Sequence, residues 1–229
     1  MEAAARVPAD ARRTVAEAAR AAIVAGEFAP GQRLIEADLC ERFGTTRFVV
    51  RAALQELSAQ GLVEFQRNRG ARVRDVSLDE AIEITEVRML LEGHLAARAA
   101  ERAGKAEAAE LRGIIKDMHT AVDKSELMGY SELNGRLHAA IRDISAHRTS
   151  ARLLRQLRDQ TVRHQFSLSL VPGRPAVSLP QHEAIVAAVT ARDPAAAERA
   201  VHAHLQSVIE ALQALPAGTC ERDEAFVVD

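Results

Sequence analysis

Apolar residues recur at helical spacing along most of the chain, and the departures from that rhythm mark its organisation. Behind a frayed stretch at residues 1–9, Val15, Ala19, Ile23 and Val24 form one stripe. They predict a helix from an Asp10 N-cap to Gly26. Phe28-Ala29-Pro30-Gly31 is a turn, because Pro-Gly fixes a tight reversal before Leu34-Ile35. A second helix spans roughly Glu36 to Phe43 and ends at Gly44. A third, capped by Thr45 or Thr46, runs to about Gln60 with Val50, Ala53, Leu54 and Leu57 inward, and Gly61 closes it. The pattern then changes. Leu62–Phe65 and Ala71–Arg74 read as two short strands around the loop Gln66-Arg67-Asn68-Arg69-Gly70. Helix, glycine turn, helix and hairpin, in that order, are the parts of a winged helix-turn-helix over residues 10–75.

Beyond Arg74 the pattern is helical throughout. Ser77-Leu78-Asp79-Glu80 is a capping box that opens a long helix to about Ala103, and Gly104 separates it from the next. Further helices are predicted at about 106–123, 129–146 and 149–170, after which Val171-Pro172-Gly173-Arg174-Pro175 interrupts the pattern. Ser178-Leu179-Pro180-Gln181 reads as a second capping box for a helix to about Ala191. Asp193-Pro194 caps the last helix, to about Leu215. Residues 216–229 lack periodicity and read as a loose tail. The predicted fold is mostly α: an N-terminal winged helix-turn-helix and, over residues 76–215, an antiparallel all-helical bundle of about six helices.

Composition refines this picture. Hydrophobic residues make up 48% of the 229, enough for a real core; aromatics are 3% and Trp is absent. Abundant Ala, Leu, Glu and Arg favour helix, and alanine richness reads as helix propensity. The formal charge of -2 hides an asymmetry: residues 1–74 hold 12 Arg against 9 acidic residues, a net of +3, leaving -5 for the remainder. A mildly basic head on an acidic body is expected when only one domain meets phosphate. Cys40 and Cys220 are too few and too far apart for a disulfide framework, and Cys40, inside the helical part of the head, is expected to be a buried thiol. No apolar run reaches membrane-spanning length and no signal-peptide order opens the chain, so a cytoplasmic protein without membrane contact is expected.

Arg47 and Arg51 lie one turn apart on the third helix, opposite its apolar face. Arginine can bond two acceptors on guanine in the major groove, which is where the second helix of such a motif lies. Thr45 and Thr46, at the helix N-terminus, can donate to phosphate beside the orphan amides. Arg69 and Gly70 at the wing tip can approach a minor groove or phosphate closely.

Several strings carry a family resemblance. They are Pro30-Gly31-x-Arg33-Leu34-x-Glu36-x-x-Leu39, Phe43-Gly44-x-Thr46-Arg47-x-x-Val50-Arg51-x-Ala53-Leu54-x-x-Leu57, Gly61-Leu62-Val63 and Asn68-Arg69-Gly70. Over about 65 residues these closely resemble the GntR family of bacterial transcription regulators. The resemblance implies DNA contact by Arg47, Arg51, Arg69 and Gly70, with Arg33 and Thr46 as backbone contacts. This chain has Phe48-Val49 where Thr-Pro is usual, and Ala52 where Glu is usual. Phe48 lacks a hydroxyl and can instead touch a thymine methyl, so operator preference cannot be copied from relatives.

All eight histidines lie beyond residue 90. Asn134 and His138 are i, i+4 on one helix. His182, with Ile185 and Val189, and His204, among Val201, Leu205 and Val208, fall on inward stripes. Imidazoles converging from three helices suit a divalent transition metal such as zinc or nickel; the bland alternative is a set of satisfied core histidines. The helical body resembles the FCD-type effector domain of the family's FadR branch, in which an Asp-x-x-x-His pair and two later histidines bind metal. That resemblance assigns Asn134, His138, His182 and His204 as ligands, Asn134 departing from the usual Asp and bringing no charge. His202 is expected to be exposed. The same domain type commonly binds small carboxylates over the metal. Arg88, with Glu92 one turn on, and Arg163 are the candidate clamps, against the plain reading of Arg88–Glu92 as a helix salt bridge.

The expected function is an effector-responsive regulator, a repressor, which binds a palindromic operator as a homodimer and is released by a small carboxylate. Two alternatives differ in kind. A metallohydrolase would use the histidine centre, but His182-Glu183 lacks the second histidine of His-Glu-x-x-His, Val186 standing there. A constitutive DNA binder would show operator affinity independent of any effector.

Overall fold

The computed structural model describes residues 9–67, 69–169 and 171–215, with side chains from residue 13 onward. The stretches expected to be frayed or loose, 1–9 and 216–229, lie outside these residues except for Ala9, which is already helical. The chain divides into two compact units between Val76 and Ser77.

The first unit runs α1 (Ala9–Val24), β1 (Arg33–Leu34), α2 (Glu36–Arg42), α3 (Arg47–Ala59), β2 (Val63–Gln66) and β3 (Gly70–Val73). Asp10 therefore lies inside the first turn of α1 and is not its cap. Ala19 and Ile23 meet Val50, Leu54 and Leu57 in one core, while Val15 and Ala16 meet Val49 and Ala53 beside it. Gly44 takes a φ of +58°, a left-handed conformation that glycine adopts without a Cβ clash, and so ends α2 and leads into α3. Cys40 is only half-buried, at the edge of the core, and not the enclosed thiol expected. The sheet has a third strand that the pattern did not reveal. Its order is β1-β3-β2, all antiparallel, with Leu34 opposite Ala71 and Glu64 opposite Arg72. Two residues are too few to show alternation.

The second unit has seven helices among the described residues: α4 (Leu78–Arg102), α5 (Lys105–Asp123), α6 (Leu127–Ser145), α7 (Arg148–Gln160), α8 (Val162–Ser169), α9 (Arg174–Thr190) and α10 (Pro194–Gln213). Ser77 caps α4 by accepting from the Glu80 amide at 3.2 Å, and Asp193 caps α10 by accepting from Ala196 at 2.9 Å. Two predictions fail here. The helix expected over 149–170 breaks at Thr161, whose hydroxyl bonds back to the Leu157 carbonyl at 3.3 Å while Gln165 bonds to that hydroxyl at 2.8 Å. The helix expected from Ser178 begins at Arg174 instead. Gly173 turns the chain with a φ of +81°, and Pro175 sits in the first turn, where a missing N–H costs nothing. Ser178 caps nothing: its hydroxyl donates to the Arg174 carbonyl at 2.9 Å. Pro180 is inside α9 on its exposed side, where water can serve the Ala176 carbonyl that loses a donor.

The alanines do more than favour helix. Ala96, Ala99 and Ala100 of α4 and Ala197 of α10 are fully enclosed in the core of this unit, and a Cβ on Gly93 would lie 2.5 Å from His202 Nε2. Small residues let α4 and α10 approach closely along their length. No helix of the described residues is long and apolar enough to cross a membrane.

Candidate DNA-reading surface and histidine centre

In the first unit, Thr46 is the N-cap residue of α3 with extended backbone, yet its hydroxyl makes no capping bond. Arg47, Phe48 and Arg51 follow on the exposed side of the first turns, Phe48 at 59% exposure, while Val49 and Val50 anchor the other side. Thr45 is half-buried. Arg51 is not loose: its Nε and Nη2 each donate to the Glu36 carboxylate at 2.9 Å, a planar two-bond pair that aims the guanidinium. That pair lowers the Glu36 pKa and raises that of Arg51. On the sheet, Arg33 stands directly across from Arg72, with Leu34 and Ala71 buried next to them. Like charges opposite one another repel, and Glu64, register partner of Arg72, forms an ion pair with it. Arg69 and Gly70 are exposed at the wing, Gly70 with a φ of +81°; Asn68 of the predicted loop lies outside the described residues. Glu36 and Arg72 were not singled out by their sequence context. The alternation Ala71-Arg72-Val73 was the available signal for Arg72.

In the second unit, His138 from α6, His182 from α9 and His204 from α10 converge. Each offers one ligand atom within 4.8 Å of the others, and all three are buried. Their ring centroids are 5.5 Å (His138–His182), 5.6 Å (His138–His204) and 4.5 Å (His182–His204) apart. Each Nδ1 has its own partner. His138 Nδ1 lies 3.1 Å from Glu92 Oε2, and His204 Nδ1 lies 2.9 Å from Gln181 Oε1. Both partners are acceptors only, so both Nδ1 atoms carry the proton. For His182 the assignment follows a chain. The Ser178 hydroxyl donates to the Arg174 carbonyl, so it accepts from Tyr130 at 2.9 Å, and Tyr130 in turn accepts from His182 Nδ1 at 3.1 Å. This protonation pattern is inferred from the network. It leaves a lone pair on every Nε2. His182 Nε2 is buried without a hydrogen-bond partner among the described residues, and so is Asn134 Oδ1, one turn before His138.

Such orphans are costly in a core unless something binds them. Three neutral imidazole nitrogens and an amide oxygen are the donor chemistry of a divalent transition metal, so the residues fit one. Burial pushes all three histidines down: His138 moderately, against the pull of Glu92; His182 well below the ordinary value, with His204 and His138 adding to the effect; and His204 to about 3. They are neutral at physiological pH, as ligation requires.

Arg88 and Glu92 of α4 form a buried i, i+4 pair, Nη2 and Nε donating to Glu92 Oε1 at 2.8 and 3.0 Å. Burial alone would raise the Glu92 carboxyl, but Arg88 and His138 hold it well below the usual range. With one oxygen on Arg88 and the other on His138, Glu92 positions two residues, and it is not among the residues that line the neighbouring cavity. A cavity of about 80 Å³ opens beside the histidines, and Arg88, Asn134, Arg158 and Arg174 line it. Arg163, expected as the second clamp, is half-buried on α8 and does not line it. Arg158 and Arg174 were missed because each sits in a segment whose helix boundaries were misread. His202, expected to be exposed, is half-buried against Gly93, its Nε2 enclosed without a partner among the described residues.

The two units match known families separately. Residues 11–73 match the gntR family of bacterial regulatory proteins, and residues 83–207 match the FCD domain. The chain is 26% identical over 185 residues to the transcriptional repressor RspR of Escherichia coli K12, covering 81% of each chain. It is 29% identical over 208 residues to the transcriptional regulator LutR of Bacillus subtilis 168 (82% of this chain, 94% of LutR). It is 28% identical over 200 residues to the galactonate operon transcriptional repressor of E. coli K12 (78% and 86%). In fold it is similar to E. coli McbR/YncC, with a TM-score of 0.73 at 21% identity over 89% of this chain and 97% of that one.

The depressed histidines give the metal-free protein a signed pH dependence. Their folded pKa values lie below the unfolded value near 6.5, so below that pH the unfolded chain takes up protons that the folded chain refuses. Stability is fully present above about pH 6.5 and falls as pH drops, by about 1.4 kcal/mol per unit for each such group. Melting of metal-free protein from pH 7.5 to 5 should show a falling Tm. His204→Gln should flatten the slope, and a flat wild-type profile would contradict the buried neutral trio.

Proposed function

The chain belongs to the gntR family of bacterial regulatory proteins, in its FCD-bearing form, and from that premise we propose a repressor that a small carboxylate releases from a palindromic operator. Membership makes it a DNA-binding transcriptional regulator and removes the hydrolase alternative, since the family and its relatives are regulators and not enzymes. Repression is carried over from RspR and the galactonate operon repressor, both of which are transcriptional repressors. We read the protein as a homodimer because two recognition helices on a two-fold site multiply specificity.

On this reading the DNA surface is Arg47 and Arg51 of α3, with Phe48 against a thymine methyl, Thr45, Thr46 and Arg33 on the backbone, and Arg69 and Gly70 at the wing. Glu36 holds Arg51 in its planar fork before contact, so less side-chain freedom is lost on binding. In the second unit, the observation that carries the reading is the convergence of three buried histidines, each offering a ligand atom within 4.8 Å of the others, beside an arginine-lined cavity. His138, His182 and His204, with Asn134, would hold zinc or nickel, and a bound metal supplies a Lewis-acid position for one carboxylate oxygen. Glu92, Tyr130 and Gln181 fix the imidazole tautomers from behind. Arg88, itself fixed by Glu92, presents its remaining donor face to the same anion. Acid binding weakens operator binding only through a difference in affinity between two dimer states.

Arg47→Ala and Arg51→Ala should each cost about 1–3 kcal/mol of operator affinity while leaving the helical circular-dichroism signal intact. Wild-type gel shifts at fixed salt in both variants would rule out this surface.

Chain purified without chelator should carry about one zinc or nickel per protomer, and His138→Ala, His182→Ala and His204→Ala should each lose it. Asn134→Asp, which restores a charge, should tighten metal binding. Absence of metal by elemental analysis, together with no thermal shift on adding zinc or nickel, would leave a polar core only.

Arg88→Ala should retain operator affinity but lose its response to the acid. Reciprocity requires operator DNA to weaken acid binding by the same factor as acid weakens operator binding, typically about 5–150-fold. Titration calorimetry with and without operator reads this directly, and equal acid affinity in both conditions would mean a constitutive DNA binder.

A further inference from the structure

The cavity beside the histidines has an unbalanced charge. Arg88, Arg158 and Arg174 line it, and no Asp or Glu does. Glu92, immediately behind, matches Arg88 and shares its other oxygen with His138. It is the only buried acidic side chain among the described residues. Arg158 and Arg174 make no ion pair closer than 4 Å among those residues. Arg174 donates through Nη1 to the Ser207 hydroxyl at 3.0 Å, and its Nη2 is buried without a partner. Two guanidinium groups with no carboxylate beside them in the lining therefore share one small space, before any metal is added. An arginine in such surroundings cannot shed its proton as a lysine would; even with burial pressing it down, Arg158 titrates only at about 10 and stays charged.

The two charges also reach the space from different helices. Arg158 comes from α7 and Arg174 from the first turn of α9, and Asn134, Ser131 and Gln165 line the space with neutral donors and acceptors. A ligand with one carboxylate would meet one guanidinium and leave the other without a carboxylate partner, Arg174 with its buried Nη2 still unbonded.

We propose that the cavity selects a dianion, a short dicarboxylate whose two carboxylates are received one by Arg158 and the other by Arg174. This deepens the reading of the second unit as a carboxylate site and rests on it. Guanidinium forks match carboxylates with two bonds each, so each pole contributes specificity as well as charge. Ser131 and Gln165 add neutral donors and acceptors to the lining, which a hydroxylated dicarboxylate can use and a plain one cannot.

The test is titration calorimetry on the full-length zinc-loaded chain at fixed ionic strength. Acids of equal carbon number are compared: propionate with malonate, butyrate with succinate and malate, and pentanoate with glutarate. The expected result is a preference for the dicarboxylate of roughly 10- to 100-fold, the worth of one charged hydrogen-bonded pair. Arg158→Gln and Arg174→Gln should each abolish that preference, cutting dicarboxylate affinity more than monocarboxylate affinity, while leaving zinc content and the helical signal unchanged. Arg174→Lys, which keeps charge at that pole, should recover part of it. Equal affinity for each mono- and dicarboxylate pair, or a preference that survives both Gln variants, overturns the dianion and leaves the carboxylate reading standing. No heat and no thermal shift with any acid overturns both.

Discussion

A carboxylate has two oxygens to share among its neighbours, and in the helical unit one such group ties the arginine side of the site to the histidine centre. Glu92 accepts from Arg88 through Oε1 and from His138 through Oε2. Removing it would unpair a buried guanidinium and release the imidazole whose tautomer it sets. The loss of one partner from a buried pair is costly because the other is left charged and dry. Glu92 thus couples the arginine side of the cavity to the metal-ligating side through a single residue. It can do so because α4 packs against α6, which carries His138, and α4 is also held close to α10. Gly93, next in sequence, and the enclosed Ala96, Ala99 and Ala100 remove the bulk that would otherwise keep the helices apart.

The same constraint explains why three distant stretches of sequence form one site. His138, His182 and His204 belong to helices that each make extensive apolar contact with the core, through Leu137, Ile185 and Leu205 respectively. The polar groups ride on positions next to these anchors and are presented inward at low entropic cost. Their Nδ1 atoms end on three chemically different acceptors: a carboxylate, a side-chain amide and a phenol relayed through Ser178 to a backbone carbonyl. All three reach the same protonation state by different routes, and that state exposes the lone pair on the cavity side.

Much of this was readable from the chain, for reasons that also define where reading failed. The stripes of α1, α3 and α4 were long and bounded by glycine or a capping serine, so helix type and face followed from periodicity. Asn134, His138, His182 and His204 fell on inward stripes with the spacing of a known domain. What was misread lies around Thr161 and Pro180. A threonine that bonds back to its own helix leaves no mark in hydrophobic periodicity, and a proline on the solvent side of a helix looks, in sequence, like a terminus. Both errors displaced the arginines: Arg163 was put forward and Arg158 and Arg174 were passed over. The two-residue strand β1 was invisible because its pairing with β3 is a long-range property that local pattern cannot carry. Likewise, the Arg51–Glu36 pair spans two helices, so no i, i+4 rule announced it.

Both units contain an arginine held by a glutamate, and the surroundings give the two pairs opposite uses. Arg51–Glu36 is open to solvent, where water can replace either partner, so the pair contributes little to stability and can be exchanged for phosphate or a base edge without stranding a buried charge. Arg88–Glu92 is enclosed, with side-chain exposures of 4% and 5%, and no incoming anion can displace Glu92 without burying it unpaired. A ligand in that cavity must therefore add to the pair and not compete with it, drawing on the arginines that have no acid of their own. The exposed pair keeps a reading residue oriented yet available. The buried pair is part of the wall, and it leaves the ligand's charge to be met by the remaining guanidinium groups.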